Sequence, residues 1–165
     1  MNATVDYLSN TASVAEIAAH LACCDTRFVP PLSGRTEIPA YAVKIAGHAN
    51  RYEAWAGDCL VGLVAAYGND PLQRMAYVTS VSVLSAWAGQ GIAATLLARC
   101  LEHAKALGLR GVQLEVAADN AAAIRLYRKH GFEDGDTHPP VIHMHLYFNN
   151  RQHYESQTQL QRRDR

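Results

Sequence analysis

The sequence predicts an α/β fold, or a mixed α+β variant of it, formed by one domain. Helical and strand hydrophobic periods alternate along most of the chain, which is typical of α/β layering and unlike a helical bundle or a β-sandwich. The length of 165 residues falls within the usual size of a single domain, roughly 100–200 residues. Apolar residues make up 49% of the chain and charged residues 18%, which is enough apolar material for one core and excludes a wholly disordered chain.

The first quarter of the chain predicts one short strand and two helices. The strand covers residues 3–8. Apolar side chains within Ser13–Cys24 recur at the spacing of an amphipathic helix. Asp25–Ser33 contains two adjacent prolines, which do not continue a helix, so we expect a loop there. A second helix is predicted over 36–47, because its first residue, Thr36, is a suitable N-cap and a proline falls in its first turn.

The next segment predicts three strands. Arg51–Trp55 and Leu60–Tyr67 are joined at Gly57-Asp58, a pair that favours a tight hairpin turn. A further turn follows at Gly68–Pro71. Arg74–Leu84 then alternates in the manner of a strand.

The last part of the fold contains the clearest helix. Gly91–Leu107 carries an apolar stripe that includes Leu107, and a glycine follows it. Gly111–Ala117 is predicted as a strand. Asn120 is a suitable N-cap for a helix that continues to about residue 130, where Gly131 ends it.

The C-terminal region predicts a domain boundary. Asp134–Pro140 is expected to be an irregular connection, and Val141–Phe148 the last strand. From residue 149 the chain is polar and rich in Gln and Arg, so it has little to bury. We therefore expect one folded domain over residues 1–148 and a flexible tail over residues 149–165.

Charge and hydropathy exclude several kinds of partner. Fifteen Lys and Arg balance fifteen Asp and Glu, so no overall field recruits nucleic acid or an acidic membrane. The longest apolar runs, such as Cys59–Tyr67, fall short of the roughly 20 residues of a membrane-spanning helix. The N-terminus lacks the basic start and apolar stretch of a secretory signal. We expect a cytoplasmic protein with no nucleic-acid or membrane partner.

The cysteines and histidines do not form a metal-binding pattern. Two of the four cysteines are adjacent and two are isolated in apolar segments, which is typical of buried free thiols. His143 and His145 share one face of a strand, but no third ligand of suitable spacing is near them. The sequence therefore predicts no metal site.

The most informative local pattern is a strand that enters a glycine-containing turn and then a helix, over Val81–Ala94. The first main-chain N–H groups of a helix lack internal partners, and the helix dipole favours negative charge there. Gly89 and Gly91 remove side chains that would block an approaching ligand. This turn is suited to a phosphate. A dinucleotide-binding Gly-x-Gly-x-x-Gly pattern and a Walker loop are both absent from the sequence.

A second pattern follows at residues 120–132, Asn-x-x-Ala-x-x-Leu-Tyr-x-Lys-x-Gly-Phe. Together the two segments resemble the GCN5-related N-acetyltransferase (GNAT) superfamily, whose cofactor motif is Arg/Gln-x-x-Gly-x-Gly/Ala and whose next strand–helix unit carries the second pattern. The resemblance is specific over residues 76–135 and agrees in element order over residues 3–148.

The resemblance implies a twisted mixed sheet in which two parallel strands, here Tyr77–Leu84 and Gly111–Ala117, splay apart and admit acetyl-coenzyme A. Main-chain groups of Val81 and Val83 would pair with its pantetheine arm, which Asn120 would also contact. Tyr127 would lie near the thioester sulfur. The pyrophosphate would be enclosed by six consecutive residues, Gly89, Gln90, Gly91, Ile92, Ala93 and Ala94.

One position departs from the family pattern. Ala88 stands where the cofactor motif has Arg or Gln, so a side-chain contact to phosphate is missing. A hydrogen bond of that kind contributes roughly 1.5–3 kcal/mol, so its loss weakens binding about tenfold or more. Gln90, Arg125 or Lys129 are the candidates to replace it.

Acetyl transfer also needs proton carriers. Tyr127 is the candidate general acid, because its motif position resembles the family's and a phenol can protonate the leaving sulfur. No carboxylate stands at the start of the Arg74–Leu84 strand, where several family members have a glutamate. Glu53 and Glu115 are therefore the acidic candidates for the general base, and a water chain held by Ser80 and Tyr77 is the alternative.

The resemblance implies an N-acetyltransferase that moves the acetyl group of acetyl-CoA to a primary amine by direct attack in a ternary complex. The expected acceptor is a small molecule, with an amino sugar or aminoglycoside as first candidate. A peptide or protein amine is the alternative substrate, and a non-catalytic acyl-CoA sensor is the alternative function. A homodimer is possible by analogy. Acids and aromatic side chains are expected to bind the acceptor: Asp25, Glu37, Glu53, Asp134, Asp136, Tyr41, Trp55 and Tyr67.

Overall fold

The computed structural model describes residues 3–68 and 71–148 of the chain. Within these ranges the chain forms seven β-strands and four α-helices. The strands are β1 (Asp6–Ser9), β2 (Asn50–Ala56), β3 (Cys59–Tyr67), β4 (Met75–Val83), β5 (Gly111–Ala117), β6 (Glu133–His138) and β7 (Val141–Tyr147). The helices are α1 (Val14–Cys23), α2 (Ile38–His48), α3 (Ile92–Ala106) and α4 (Ala121–Lys129).

The strands form one sheet in the order β1-β2-β3-β4-β5-β7-β6. Adjacent strands are antiparallel except for β4 and β5, which are parallel. The β4–β5 pairing runs from Met75 and Gly111 to Val78 and Leu114 and then stops, although both strands continue. The mixed sheet with splayed parallel strands is therefore confirmed.

Helices cover both faces of the sheet, because the side chains of β3 alternate between two apolar clusters. Val64 and Ala66 pack in the cluster that contains α3 and α4. Leu63 and Ala65 pack in the cluster that contains α1 and α2. This arrangement places the start of α3 and the segment between α1 and α2 on opposite sides of the β4–β5 gap.

The cysteines are free, but Cys23 and Cys59 are exposed and only Cys24 and Cys100 are buried, so the expectation of buried thiols is wrong for two of them.

Most predicted elements are confirmed, and three predictions of local structure are wrong. Asp134–Pro140 is not irregular, because most of it belongs to β6, an edge strand that pairs with β7 through its main chain and needs no apolar alternation. The N-cap of α2 is Glu37 and not Thr36. Leu107 lies beyond the last residue of α3 and is 56% exposed, so it is not part of the buried stripe.

Two sequence predictions lie outside the described residues. The turn at Gly68–Pro71 includes residues 69 and 70, and the polar tail covers residues 149–165. Across residues 3–68 and 71–148, no helix is both long and apolar enough to cross a membrane.

Candidate active site

The gap between β4 and β5 opens into a cavity of about 560 Å³. Its walls come from the splayed ends of both strands, from α4 and from the segment between α1 and α2. Asp25 fixes that segment, because its carboxylate accepts hydrogen bonds from the main-chain N–H and the hydroxyl of Ser33, both at 2.7 Å. The predicted loop is therefore an ordered wall of the cavity.

The free edge of β4 faces this gap. The N–H of Leu84 donates to the carbonyl of Val61 on β3 at 2.9 Å, and hydrogen-bonded pairs recur at every second residue of an antiparallel ladder. Leu84 and Ser82 are therefore bonded to β3, while the main-chain groups of Val81 and Val83 point towards the gap. These two residues are the ones that the sequence assigns to the cofactor arm.

A second cavity, of about 300 Å³, is built around the glycine turn. Gly89 and Gly91 have φ values of 76° and 78°, a left-handed conformation that favours glycine. Gly91 is the N-cap of α3 and makes no side-chain cap, so the first N–H groups of the helix are available to an anion. Of the predicted cofactor residues, seven line this cavity: Val81, Val83, Gly89, Gly91, Ile92, Ala93 and Ala94.

The cation near the glycine turn comes from an unexpected part of the chain. The sequence offers three residues to replace the motif side chain that is missing at Ala88: Gln90, Arg125 and Lys129. The second cavity is lined by none of them. Arg27 lines it, and its Nη1 donates to the hydroxyl of Ser85 at 3.3 Å. Sequence reasoning missed Arg27, because the contact joins distant segments and no local pattern marks it.

The second sequence pattern places two predicted residues on one wall. Asn120 caps α4, as predicted, by accepting a hydrogen bond from the N–H of Ala123 at 3.3 Å. Its amide nitrogen remains available to a ligand. Asn120 and Tyr127 both line the larger cavity.

Tyr127 is a buried phenol whose hydroxyl has no hydrogen-bond partner among the described residues; its side chain packs beside Phe132 with the rings 5.9 Å apart. Burial raises the pKa of Tyr127 to about 12. The phenol is therefore protonated at neutral pH and can donate a hydrogen bond into the cavity.

The candidates for the base occupy the opposite strands of the gap. Glu115 on β5 is exposed and is the one carboxylate among the described residues that lines the larger cavity. Burial raises the pKa of Tyr77 on β4, and the Glu115 charge raises it further. Ser80 lies beside them with a buried hydroxyl that has no partner within the described chain. Glu115 and the Ser80–Tyr77 pair are thus both placed at the cavity.

Glu53 lies elsewhere and is fully buried. Its carboxylate accepts hydrogen bonds from the N–H and hydroxyl of Thr11 at 3.0 and 2.6 Å, from the N–H of Ala12 at 3.0 Å and from the indole of Trp55 at 3.2 Å, and it pairs with Arg51 at 3.4 Å. Burial alone would raise the pKa of Glu53, but these hydrogen bonds outweigh it and the pKa is lowered. Since Glu53 lines neither cavity, its position supports a structural role and not the predicted role as a base.

The acceptor side of the larger cavity differs from the expectation. Of the acids and aromatics assigned to the acceptor, Tyr41 lines this cavity, and its hydroxyl donates to the carbonyl of Thr79 at 2.8 Å. Asp134 instead pairs with Arg128 at 2.8 Å. Three cations line the cavity and were not predicted: Arg27, Arg35 and Lys44.

The histidine pair on β7 makes contacts within the sheet. Nε2 of His143 lies 3.1 Å from the side-chain oxygen of Gln113 on β5, and the rings of His143 and His145 are 6.4 Å apart. Over residues 3–68 and 71–148, no group of three or more His, Cys, Asp or Glu side chains is arranged to hold a metal ion.

The sheet and its two cavities, which share part of their lining, are those of a protein that can hold a long ligand between two parted strands. Comparison with known proteins gives the family. The model of the Acetyltransferase (GNAT) family matches residues 16–132, and the chain belongs to this family.

Relatives and solved structures agree with this assignment. The chain is 36% identical over 84 residues to a mycothiol acetyltransferase of Corynebacterium glutamicum (strain R), covering 51% of this chain and 28% of that protein. It is 27% identical over 135 residues to Bacillus subtilis (strain 168) YwnH, which is named provisionally as a phosphinothricin acetyltransferase, covering 78% of each. A Bacillus anthracis str. Ames acetyltransferase in complex with acetyl coenzyme A matches with a TM-score of 0.55 and 25% identity, over 61% of this chain and 63% of that one. The chain thus spans less than a third of the mycothiol acetyltransferase it matches.

The buried pair of Arg51 and Glu53 should stabilise the fold. Replacing Glu53 with Gln should lower the free energy of unfolding at pH 7 by roughly 3 kcal/mol, because the buried Arg51 loses its charged partner. The lowered pKa means that the carboxylate stabilises the fold above about pH 4.5 and stops doing so as the pH falls further. The difference between the variant and the wild type, measured by urea unfolding, should therefore shrink in acid.

Asp134→Asn is the matched control, because the Arg128–Asp134 pair is 57% and 43% exposed and such pairs contribute under about 1 kcal/mol. A Glu53→Gln protein as stable as this control, but with greatly reduced turnover, would contradict the structural role.

Proposed function

We propose that the protein is an acetyl-CoA-dependent N-acetyltransferase that acts on a primary amine of a small molecule by direct attack in a ternary complex. The observation that carries this proposal is the junction of the two cavities. Five residues line both of them, Arg27, Phe28, Val81, Ala123 and Leu126. A ligand whose phosphates lie at the glycine turn can therefore extend along β4 and place its far end beside Tyr127, in the space where an acceptor enters.

The residues present fit acetyl-CoA as the co-substrate, which supplies an activated acetyl thioester. The free N–H groups at the start of α3 suit its pyrophosphate. The unpaired edge of β4 at Val81 and Val83 suits an extended arm with amide groups, which would pair as an extra strand. An N–H of this edge, in the region of Val83, would also donate to the oxyanion that develops on the thioester carbonyl.

Tyr127 is proposed as the proton donor to the leaving sulfur. Its pKa of about 12 exceeds the ordinary value for a thiol, about 8.5, so complete transfer from the phenol is uphill by about 5 kcal/mol. Tyr127 therefore acts by donating a hydrogen bond as the C–S bond breaks. Its proton moves to sulfur only when the proton that the amine gives up replaces it.

Glu115 is proposed as the group that takes the other proton, the one that the ammonium form of the acceptor must lose before it attacks, directly or through water. An amine with a pKa of about 10.4 is only about one part in a thousand neutral near pH 7.4, which costs roughly 4 kcal/mol, so a base is useful. Ser80 and Tyr77 lie on the facing strand, and the unpaired Ser80 hydroxyl suits a bridging water.

The size of the cavity, about 560 Å³, suits a small molecule, and the names of two relatives, mycothiol and phosphinothricin acetyltransferases, refer to small molecules. An amino sugar remains the first candidate and a peptide amine the second, whereas the cations Arg35 and Lys44 on the cavity wall count against a polycationic aminoglycoside. The homodimer and the cytoplasmic location remain predictions.

The proposed function is tested by thiol release from acetyl-CoA with amino sugars, an aminoglycoside, amino acids and a peptide with a free N-terminus. At least one small amine should accelerate release above the hydrolysis background, with saturation in both substrates. Acceleration by the peptide alone would favour the alternative substrate. Binding of CoA, measured by calorimetry, with no acceleration by any amine would favour the acyl-CoA sensor and overturn the enzyme.

The proposed proton carriers predict a separation of rate from binding. Tyr127→Phe and Glu115→Gln should each lower kcat by about 100-fold, while the Kd for CoA stays within about twofold of wild type. Glu115→Gln should also flatten the pH–rate profile, because it removes the proposed general base. The matched controls are Tyr147→Phe and Glu102→Gln, which change exposed residues outside both cavities.

An unchanged kcat in Tyr127→Phe would leave that ring with a packing role only. A pH–rate profile in Glu115→Gln with the wild-type shape would transfer the base role to water held by Ser80 and Tyr77.

A further inference from the structure

The wall of the larger cavity that is formed by α2 and the segment before it is basic; we call this wall the acceptor side. Arg35 and Lys44 line this cavity, both are exposed, and neither forms an ion pair within the described residues. Glu115 is the one carboxylate of the described wall. Charges that border a concave site raise the local concentration of ligands of the opposite sign. An acceptor that carries several positive charges would therefore be repelled from this side of the cavity.

The cofactor does not account for these two cations. Arg35 and Lys44 line the larger cavity and are absent from the wall of the second cavity, where the glycine turn provides for phosphates. The part of acetyl-CoA that would reach the larger cavity is the pantetheine arm and the acetyl group, which are uncharged. Arg35 and Lys44 are thus left to face the other substrate.

Both cations are held on ordered parts of the wall. The main-chain N–H of Arg35 donates to the carbonyl of Leu32 at 2.9 Å, within the segment that Asp25 and Ser33 close. Lys44 lies on α2 with its Nζ 5.4 Å from the centre of the Tyr67 ring. The same helix is tied to β4 by the hydrogen bond between Tyr41 and Thr79.

We infer that the acceptor carries an anionic group, a carboxylate or a phosphate, close to the amine that is acetylated, and that Arg35 and Lys44 bind this group. Arg35 suits both anions because its planar guanidinium makes paired hydrogen bonds. The amine would then lie towards Glu115 on the other wall. This inference rests on the proposed acetyltransferase function and narrows its acceptor to amino acids and to amino sugars that bear an acid or a phosphate ester.

Paired substrates test the inference without any variant. Each α-amino acid in a panel is compared with its carboxamide, and an amino sugar with its phosphate ester, by thiol release from acetyl-CoA. The anionic member of at least one pair should have a kcat/KM about tenfold or more above its neutral partner. The two kinds of pair separate carboxylate from phosphate recognition.

Variants then locate the binding group. Arg35→Gln and Lys44→Gln should each raise the KM for the preferred anionic amine by about tenfold, with little change in the KM for acetyl-CoA or for the neutral partner. Arg35→Lys should retain part of the affinity. Lys105→Gln and Arg99→Gln remove exposed charges outside both cavities, and should leave the KM for the acceptor unchanged. Thermal unfolding checks that each variant is folded.

The failure of this inference is distinct from the failure of the function. Acetylation of neutral amines or of an aminoglycoside as fast as anionic amines, or an acceptor KM that both variants leave unchanged, would overturn the anionic acceptor and leave the enzyme standing. Thiol release that no amine accelerates would overturn the enzyme itself.

A second inference rests on a separate observation at the glycine turn. Arg27 lines the second cavity and donates to Ser85, three residues before Ala88, which also lines it. The start of α3 in the same wall has no side-chain cap. We infer that Arg27 binds a phosphate of the cofactor and supplies, from a distant loop, the cationic contact that residue 88 does not.

A rescue experiment tests this inference. Arg27→Gln should raise the Kd for CoA, measured by calorimetry, by roughly tenfold, and Arg27→Lys should raise it less. Adding Ala88→Arg to the Arg27→Gln protein should restore most of the lost affinity. Lys105→Gln is the control. A wild-type Kd in a folded Arg27→Gln protein, or a double variant that binds no better than the single one, would overturn the inference.

Discussion

The site depends on the loss of main-chain hydrogen bonds between β4 and β5. Parallel strands in a sheet interior normally pair along their full length, because an unpaired N–H or carbonyl away from water is costly. Here the pairing stops at Val78 and Leu114, and the polar edge that follows borders a cavity. Ser80 adds a buried hydroxyl with no partner within the described residues. This edge retains capacity for hydrogen bonds that an extended ligand with amide groups can use.

The packing of the helices keeps the gap open. α3 buries its stripe against the sheet on one face, and α1 and α2 pack on the other. Each face also contributes a wall: the glycine turn precedes α3, and the ordered segment with Arg27 and Arg35 joins α1 to α2. The apolar clusters beneath both walls hold them in place on either side of the parted strands.

The sequence predicts the parts of the site that local chemistry determines. Gly89 and Gly91 are needed for a backbone with positive φ, and Asn120 for a helix cap, so short patterns mark them. The strands of the central sheet are predicted as well, because the alternation of apolar residues is also a local pattern. The burial of Glu53 is not predicted by the sequence, because its partners Thr11 and Ala12 lie about 40 residues away in the chain and no local pattern indicates such a contact.

The remaining failures have the same origin. β6 is a polar edge strand stabilised by pairing with β7, which leaves no hydrophobic signal to read. Arg35 and Lys44 supply the positive charge of the larger cavity. Exposed lysine and arginine side chains are usually solvated, and only the folded chain shows that these two border a cavity. Local sequence patterns therefore predict the glycine turn and the edge of β4 more fully than they predict the side chains proposed to bind the acceptor.

In the proposed function, the two halves of the cleft recognise their ligands by different means, and this bears on how such a protein diversifies. One half works through amides of the polypeptide itself, at Val81, Val83 and the turn before α3, and most amino-acid replacements leave those amides in place. The opposite half works through the tips of side chains at Arg35, Tyr41 and Lys44, where a single codon change alters the chemistry on offer. A lineage can therefore exchange one acceptor for another while its acyl donor stays the same.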